Sequence, residues 1–282
     1  DGAKLESSKS WAKKFMKEAN IPTAKFWKVN SLEEAKKVIS KSPNPLVVKA
    51  DGLASGKGVF IPESKQSSIN ATEEIFKGKF GNAGEIVVLE EKIEGPEISV
   101  FALCDGEKFL LLPTAQDHKR LNENDKGPNT GGMGAYSPTP LISKSSLKRI
   151  IKEIIEPTID GLLRHDINYR GVLYFGLMLT KSGPKVIEYN CRFGDPECQT
   201  IMPLMDNDFV ILLQKCARGI LKGNEKIQMP DKLSGCVIAT SQGYPLNYET
   251  GFPINFGNID FEDCQIFDSG TSLNEKGDFI TD

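Results

Sequence analysis

The stretch "VIEYNCRFGDPECQ", residues 186–199, begins as an apolar strand and then places several charged and polar side chains close together. Successive side chains on a strand point to opposite faces, so Glu188, Asn190 and Arg192 are predicted to share one face. The alternation therefore predicts one face for chemistry and one for a core, and the core face comprises Ile187, Tyr189 and Cys191.

The polar face of this strand offers a carboxylate and an amide oxygen two residues apart. Two hard oxygen ligands on one side suit Mg²⁺ when phosphates and waters complete its shell. Arg192 would present a bidentate fork to an anion beside the metal. These residues favour a metal site at Glu188 and Asn190, although the stretch alone also fits a solvated strand face.

Composition limits the classes of protein to consider. The chain has 282 residues and 39% hydrophobic content, enough for two domains with buried cores. A net charge of −3, with lysines scattered along the chain, argues against a nucleic-acid partner. The six cysteines form no CxxC pair, which predicts reduced thiols in a cytoplasmic protein. No apolar run approaches the ~20 residues of a membrane span, so no membrane partner is expected.

Strands and helices alternate along the chain, which predicts an α+β fold of two units that share a cleft. Apolar periodicity predicts helices over 31–41, 64–78, 144–165 (kinked or split at Pro157) and 206–222, the last ending before Gly223. Strands are predicted at 23–29, 85–93, 97–104 and 108–113, with a hairpin of 171–180 and 184–190 around "KSG". Residues 114–140 are predicted to form a long polar loop, and a loop of this length inside a compact domain is usually functional or disordered. A separate strand-rich piece is predicted from about residue 230. Both ends stop within a pattern, so we expect a fragment of a longer polypeptide.

A glycine-rich segment, "VVKADGLASGKGV" at 47–59, follows a predicted strand. Its glycines let backbone N–H groups approach a phosphate, and Lys49 and Lys57 add positive charge. It is not a P-loop, because its glycines are one residue too close and a strand follows. A flexible hairpin is the alternative, and the two lysines favour phosphate binding.

An acidic connector, "VVLEEKIEGPEISVF" at 87–101, joins two predicted strands. The backbone of such a connector can hydrogen-bond an adenine edge, while a carboxylate binds ribose hydroxyls. Taken alone, the residues of this connector favour an exposed acidic turn over a nucleotide-binding one.

The segment "AQDHKRLNENDKGPNTGGMGAYSP", residues 115–138, places four ionisable side chains together at 117–120. The small residues of "NTGGMG", 129–134, have N–H groups that can surround an anion. The pattern indicates a binding loop, and a solvated run of charge is the alternative.

In chain order, the strand lysine, glycine-rich loop, acidic connector and Glu-x-Asn strand resemble the ATP-grasp superfamily. Three strings, "AQDHKR", "GPNTGGMGAYSP" and "EYNCRFGDPE", are similar to the phosphoribosylamine–glycine ligase family, and the likeness runs from "LESSK" to about residue 250. The resemblance implies ATP-dependent ligation of glycine to 5-phosphoribosylamine in purine biosynthesis. A glycyl phosphate would form first, and its capture by the amine would release phosphate.

The resemblance also implies a division of the chain. Residues 1–21 and 93–227 would form a core subdomain, 22–92 a lid, and 228–282 part of a C-terminal domain. The family's N-terminal domain is absent from the sequence, and some relatives are fused to later enzymes of the pathway. There are two alternatives. One is a related carboxylate–amine ligase, which would keep the ATP-binding residues and change the 115–136 segment. The other is a catalytically silent nucleotide-binding module.

The resemblance implies roles for individual residues. Glu188 and Asn190 would hold Mg²⁺ or Mn²⁺, and Gly176 stands where many ATP-grasp enzymes carry a further acid. The residues expected to bind ATP are Lys49, Gly52, Gly56, Lys57, Gly58, Glu90, Glu91, Lys92, Ile93 and Glu97, with 90–93 at the adenine and Glu97 at the ribose. The residues expected to bind the other substrates are Asp117, His118, Lys119, Arg120, Asn129, Thr130, Gly131, Gly132, Met133, Gly134 and Arg192. Those expected to act in catalysis are Arg192, Lys57 and Asp195.

Overall fold

The computed structural model describes residues 1–54, 57–124, 126–257 and 264–282. The α-helices are α1 (Lys4–Ser7), α2 (Lys9–Glu18), α3 (Leu32–Lys41), α4 (Lys65–Glu74), α5 (Lys144–Ile150), α6 (Glu156–Arg164), α7 (Glu197–Ile201) and α8 (Phe209–Arg218). Across the described ranges, no helix is both long and apolar enough to span a membrane.

The strands, in chain order, are β1 (Phe26–Val29), β2 (Leu46–Ala50), β3 (Val59–Phe60), β4 (Val87–Glu91), β5 (Glu97–Asp105), β6 (Phe109–Leu111), β7 (Gln116–Asp117), β8 (Arg120–Asn122), β9 (Lys126–Asn129), β10 (Gly134–Ser137), β11 (Arg170–Thr180), β12 (Gly183–Asn190), β13 (Ser234–Val237), β14 (Thr271–Leu273) and β15 (Phe279–Thr281). The predicted hairpin is present as β11 and β12.

The first sheet is antiparallel, with strand order β1-β4-β2-β3. Ala35 and Ile39 of α3 and Ala71 of α4 pack with Val48 and Leu89 of the sheet in one apolar cluster. Both helices begin at a serine whose hydroxyl accepts a backbone N–H of the first turn. This unit presents β2 and β4 toward the rest of the molecule.

The second sheet has the order β12-β11-β5-β6 and is also antiparallel. One face, including Val100 and Phe175, packs against α2, α5 and α6. The other face, including Phe101 and Tyr174, packs against Leu212 of α8. Burial on both faces explains why β5 and β11 read as nearly continuous apolar runs. The buried residues of the first-sheet cluster come from 29–89, whereas those of the other two clusters come from 5–21 and 98–221. The predicted division into a core and a lid stays a prediction.

The predicted helix over 144–165 is interrupted. A π-helical turn, Ile151–Ile155, separates α5 from α6, and Pro157 lies in the first turn of α6. Because proline has no N–H to donate to the preceding turn, the interruption falls where the sequence predicted a kink or split.

Two predictions of local structure are wrong. Residues 114–140 are not one long loop: β10 pairs with β7 and with β13, and β8 pairs with β9. These short ribbons carry no apolar alternation, so their sequence resembles a loop. The helix predicted to end before Gly223 ends at Gly219 instead, which has a φ of 69° and closes α8 in the left-handed conformation that glycine favours.

Candidate functional site

A buried cluster of charge lies where the two sheets meet. We call Lys13, Glu90 and Lys49 the basic trio. Lys13 Nζ lies 2.8 Å from Glu90 Oε2, and Lys49 Nζ lies 2.9 Å from Glu90 Oε1. Lys13 Nζ also donates to Thr23 Oγ1 at 2.7 Å, and Lys49 Nζ donates to the Ile187 carbonyl at 3.3 Å. The trio therefore ties α2, the first sheet and β12 together.

All three side chains of the basic trio are at most 5% exposed. Burial lowers the pKa of Lys13 to about 8, against the opposing pull of Glu90. Burial also opposes ionisation of Glu90, yet the ammonium groups of Lys49 and Lys13 hold its pKa below the usual value. With both lysines charged, one carboxylate faces two cations, so the trio carries a surplus positive charge.

A second cluster, the acidic trio, consists of Glu97, Lys119 and Glu188. Lys119 Nζ lies 2.6 Å from Glu97 Oε1 and 3.7 Å from Glu188 Oε1. These side chains are about one third exposed, so solvent reaches them. Burial opposes the charge on Lys119, but Tyr174 and the two carboxylates raise the pKa of its ammonium well above the usual value. Two carboxylates share one cation here, so the acidic trio carries a surplus negative charge.

The polar end of β12 differs in one detail from the predicted alternation. Glu188 pairs with Gly176 and Val186 with Leu177, so Ile187 is an extra residue in a β-bulge. Tyr189 is buried in the core, whereas Ile187 is only half-buried and lies outside that cluster. The prediction that Ile187 faces the core is therefore wrong, because the bulge shifts the alternation by one residue.

The bulge leaves the candidate metal ligands on one side of the sheet. Glu188 and Asn190 oppose Gly176 and Tyr174, which are two residues apart on β11. A Cβ at Gly176 would lie 3.0 Å from Glu188 Cγ, so the residue at this position borders the carboxylate directly. No group of three His, Cys, Asp or Glu side chains in the described ranges is arranged to hold a metal ion. One carboxylate and one amide oxygen fit a divalent cation that takes its other ligands from phosphates and water.

The glycine-rich segment packs tightly against its own unit. A Cβ at Gly52 would lie 2.8 Å from Ala83, and one at Gly58 would lie 2.6 Å from Ala54 Cβ. Both glycines are therefore needed for close packing within this unit. Lys57 is exposed next to them. Gly56, also predicted to bind ATP, lies outside the described residues.

The acidic connector uses its carboxylates in three different ways. Glu90 is turned inward to the basic trio, while Glu91 lies half-exposed, 3.7 Å from Lys25 Nζ. Lys92 is exposed and Ile93 half-buried, at the end of β4. Glu97 opens β5 and binds Lys119. Of these three carboxylates, only that of Glu90 is therefore buried inside the protein.

The "NTGGMG" segment is held by hydrogen bonds within the protein. The N–H groups at positions 130, 131, 132 and 133 donate to the Lys119 carbonyl, the Tyr244 hydroxyl, Thr130 Oγ1 and the His118 carbonyl. The expectation that these N–H groups are free to surround an anion is not met. The remaining residues of the set, Asn129 and Gly134, end β9 and begin β10.

The ionisable side chains at 117–120 point to different surroundings. Asp117 Oδ1 is buried and accepts no hydrogen bond from the described residues. The His118 ring lies 5.7 Å from the ring of Tyr136. Arg120 donates to the Gly127 carbonyl at 2.6 Å, along the β8–β9 ribbon.

Arg192 and Asp195 follow β12 in an exposed turn. Arg192 Nε donates to Glu6 Oε1 at 3.1 Å, and Glu6 Oε2 accepts the Cys191 N–H at 2.8 Å. Asp195 Oδ1 accepts from Gln199 Nε2 at 2.8 Å. Glu6 thus connects α1 to the end of the Glu-x-Asn strand.

Sequence reasoning missed three residues that organise this region. Lys13 lies beside the apolar stripe of an amphipathic helix, where a lysine usually extends into solvent. Glu6 shows no pattern with Arg192 in sequence, since 186 residues separate them. Glu197, which accepts from Ser99 Oγ at 2.7 Å, belongs to the "GDPE" string, and that string was a usable signal.

In this chain an antiparallel sheet that bears lysines lies against a second sheet that carries a Glu-x-Asn strand. This is the arrangement of an ATP-grasp domain. The family model "Phosphoribosylglycinamide synthetase, ATP-grasp (A) domain" matches residues 7–198. The chain therefore belongs to the phosphoribosylglycinamide synthetase ATP-grasp family, and both the predicted family and the predicted α+β ATP-grasp fold are confirmed.

Relatives with curated names and solved structures agree. The chain is 45% identical to the phosphoribosylamine–glycine ligase of Leptospira interrogans over 95% of its length and 63% of that protein. It is 44% identical to the human trifunctional purine biosynthetic protein adenosine-3 over 100% of its length and 28% of that protein. The crystal structure of the Thermotoga maritima phosphoribosylamine–glycine ligase superposes with a TM-score of 0.87 and 37% identity, covering 99% of this chain and 69% of that one. The chain thus spans under two thirds of the length of the two curated relatives.

Proposed function

We propose that this chain carries the ATP-dependent step that ligates glycine to 5-phosphoribosylamine, giving glycinamide ribonucleotide, ADP and phosphate. The observation that carries the proposal is the family match over 7–198, at 45% identity to a named ligase over 95% of the chain. The charge distribution of the site supports it, because a basic and an acidic cluster both contact the same strand, β12.

Phosphoryl transfer from ATP to a glycine carboxylate brings anions together. Two unit anions about 4 Å apart repel by roughly 4 kcal/mol at an effective dielectric constant near 20. The basic trio, with its surplus positive charge, would offset this repulsion at the phosphates through Lys49. Lys57, exposed beside Gly58, would add a second cation as charge moves during transfer.

The acidic trio would help to bind the positively charged ligand, a divalent cation. Glu188 and Asn190 are the residues that would hold Mg²⁺ or Mn²⁺. When bound there, the ion would neutralise phosphate oxygens and polarise the transferred group. Lys119 Nζ lies 3.7 Å from Glu188 Oε1 in the structure. A bound cation would replace part of this contact between the lysine and the carboxylate.

The remaining assignments rest on the family match. Backbone groups at 90–93 and the Glu97 carboxylate would meet adenine and ribose. The 117–120 segment and the side chains of 129–134, with Arg192 and Asp195, would meet glycine, phosphoribosylamine and the acyl phosphate. Division into a core and a lid, fusion to further purine enzymes and a cytoplasmic location belong to the same proposal.

The test is a substrate screen by ADP release. The chain is incubated with ATP, Mg²⁺ and phosphoribosylamine, formed in situ from ribose 5-phosphate and ammonia, together with glycine, alanine or serine. Glycine should give the fastest phosphoribosylamine-dependent turnover. Faster turnover with another amino acid would show a different carboxylate–amine ligase. Binding of ATP without ADP release from any pair would show a nucleotide-binding module and refute the proposal.

A further inference from the structure

Asp51 fastens the start of the glycine-rich segment to the first turn of α2. Its Oδ2 atom accepts from Ser8 Oγ at 2.9 Å, and its Oδ1 atom accepts the Ser10 N–H. Its carbonyl accepts the Lys9 N–H at 3.0 Å, and Lys9 Nζ donates to the Gly52 carbonyl at 3.1 Å. We call this set of contacts the Asp51 joint.

The Asp51 joint supplies acceptors to the N-terminus of α2. The first N–H groups of a helix have no partner within the helix. Those of Lys9 and Ser10 donate to Asp51, and that of Trp11 donates to Ser8 Oγ at 3.2 Å. The partial positive charge of a helix N-terminus also favours a carboxylate there. Asp51 is therefore bound to α2 both by hydrogen bonds and by charge.

The first sheet is held by α2 at two points. The Asp51 joint is the first point, since Asp51 directly follows β2. The second point lies one helical turn further along α2, where Lys13 Nζ donates to Glu90 Oε2 of β4 at 2.8 Å. β2 and β4 are neighbouring strands of the first sheet. One contact alone would let the sheet pivot on the helix, whereas two contacts fix its orientation.

This orientation matters for the proposed site because the same strand carries Lys49. Lys49 lies two residues before Asp51, and its Nζ atom donates to the Ile187 carbonyl at 3.3 Å, next to Glu188. A pivot of the first sheet would move Lys49 relative to Glu188. A displacement of about 1 Å is enough to lose much of the effect of a positioned group.

We propose that Asp51 is a positioning residue for ATP, an inference that rests on the proposed function. Its carboxylate holds the first sheet at the angle at which Lys49 and the cation site at Glu188 face the same triphosphate. Asp51 acts through the joint and not by touching the nucleotide, because both of its carboxylate oxygens are already bound to the start of α2.

The test measures nucleotide affinity separately from turnover. Asp51→Ala removes the carboxylate and keeps the backbone contacts of the joint. If the aligned arrangement is then populated about one tenth of the time, the dissociation constant of the non-hydrolysable analogue adenylyl imidodiphosphate with Mg²⁺ rises about tenfold. This constant is measured by calorimetric titration. The KM for glycine, measured from ADP release at saturating ATP, should not change. Asp51→Asn keeps an acceptor for Ser10 and a partner for Ser8, so it should restore most of the affinity.

A matched pair of serines controls for helix stability. Ser8 and Ser31 are both N-cap residues whose hydroxyls accept a backbone N–H three residues later, so replacing either by alanine costs a similar cap. Of the two, Ser8 is the one that donates to Asp51. Ser8→Ala should raise the dissociation constant about threefold, because it weakens the joint from the other side. Ser31→Ala should leave the constant unchanged. A loss of stability alone would lower kcat through the amount of folded protein and leave the affinities as they are.

Three results would overturn the inference. The first is an unchanged dissociation constant in Asp51→Ala. The second is equal weakening in Asp51→Asn and Asp51→Ala, which would show an effect of charge at a distance and not of the joint. The third is equal constants in Ser8→Ala and Ser31→Ala, which decides the question even if Asp51→Ala does not fold. The proposed function fails separately, if the parent binds the analogue but releases no ADP with glycine and phosphoribosylamine. The affinities would then still decide whether Asp51 aligns the nucleotide site.

Discussion

The basic trio and the acidic trio have the same design with opposite sign. In the basic trio two lysines share one glutamate, and in the acidic trio two glutamates share one lysine. The first is almost completely buried, whereas the side chains of the second are about one third exposed. β12 contacts both trios, because its Ile187 carbonyl accepts from Lys49 and its Glu188 belongs to the acidic trio.

This difference indicates what each trio is for. A buried cluster with surplus charge is stable only when it is locked by hydrogen bonds, as Thr23 and the Ile187 carbonyl lock the basic trio. A partly exposed cluster can exchange partners with a ligand at lower cost. We therefore expect loss of a basic-trio residue to reduce stability, and changes in the acidic trio to alter cation binding.

The largest expected effect concerns Glu188, the charged member of the proposed metal pair. Glu188→Gln keeps the shape of the side chain but removes its charge. Mg²⁺-dependent ADP release should fall about a thousandfold, since a metal ion supplies several kcal/mol of charge stabilisation. Turnover is measured across an Mg²⁺ titration.

The matched control for this change is Glu153→Gln, a glutamate in an exposed helix pair with Arg149. It should leave turnover unchanged. If Glu188→Gln keeps its turnover with an unaltered Mg²⁺ dependence, the metal does not bind at the acidic trio. The proposed difference in role between the two trios would then be wrong.

The second effect concerns Lys13. Lys13→Met leaves the buried Glu90 with one cation, and removal of one partner from a buried ion pair costs about 3 kcal/mol or more. The free energy of unfolding, measured by urea denaturation at pH 7, should fall by about 3 kcal/mol.

Lys14 is the matched control, since it is the next residue of α2 and its side chain is 74% exposed. Lys14→Met should change the free energy of unfolding by about 0.5 kcal/mol or less. Equal effects of the two substitutions would show that Lys13 is an ordinary surface lysine and that no buried trio exists in solution.

The sequence predicted the acidic trio better than the basic one. Glu188 of the acidic trio stands out, together with the nearby Asn190, because a strand's two-residue period separates both from apolar neighbours. The hairpin that carries them also has clear turn residues. The bulge at Ile187 could not be predicted, because a bulge depends on the register with β11 and not on local pattern.

The basic trio could not be predicted because its members come from distant segments with different local patterns. Lys13 lies on a helix whose apolar stripe accounts for the helix without it. Glu90 and Glu91 are adjacent glutamates, and nothing in their order shows that the first is 4% exposed and the second half-exposed. The lysine that the fold brings near each carboxylate decides whether that carboxylate is buried or exposed.

The smallest expected effect tests the sign of the acidic trio directly. Lys119 lies 3.7 Å from Glu188 Oε1, where its ammonium opposes a divalent cation at the same carboxylate. Because both side chains are about one third exposed, solvent screening reduces this opposition to about 1 kcal/mol. Lys119→Met should therefore tighten Mn²⁺ binding in the presence of ADP roughly fivefold, as measured by calorimetric titration. Binding is measured instead of turnover, so the result does not depend on any contact of Lys119 with substrate.

Lys126→Met, at an exposed lysine of the same segment, should leave the Mn²⁺ affinity unchanged. Weaker Mn²⁺ binding in Lys119→Met would show that the lysine supports the cation site instead of opposing it, and the two trios would then differ in more than the sign of their charge.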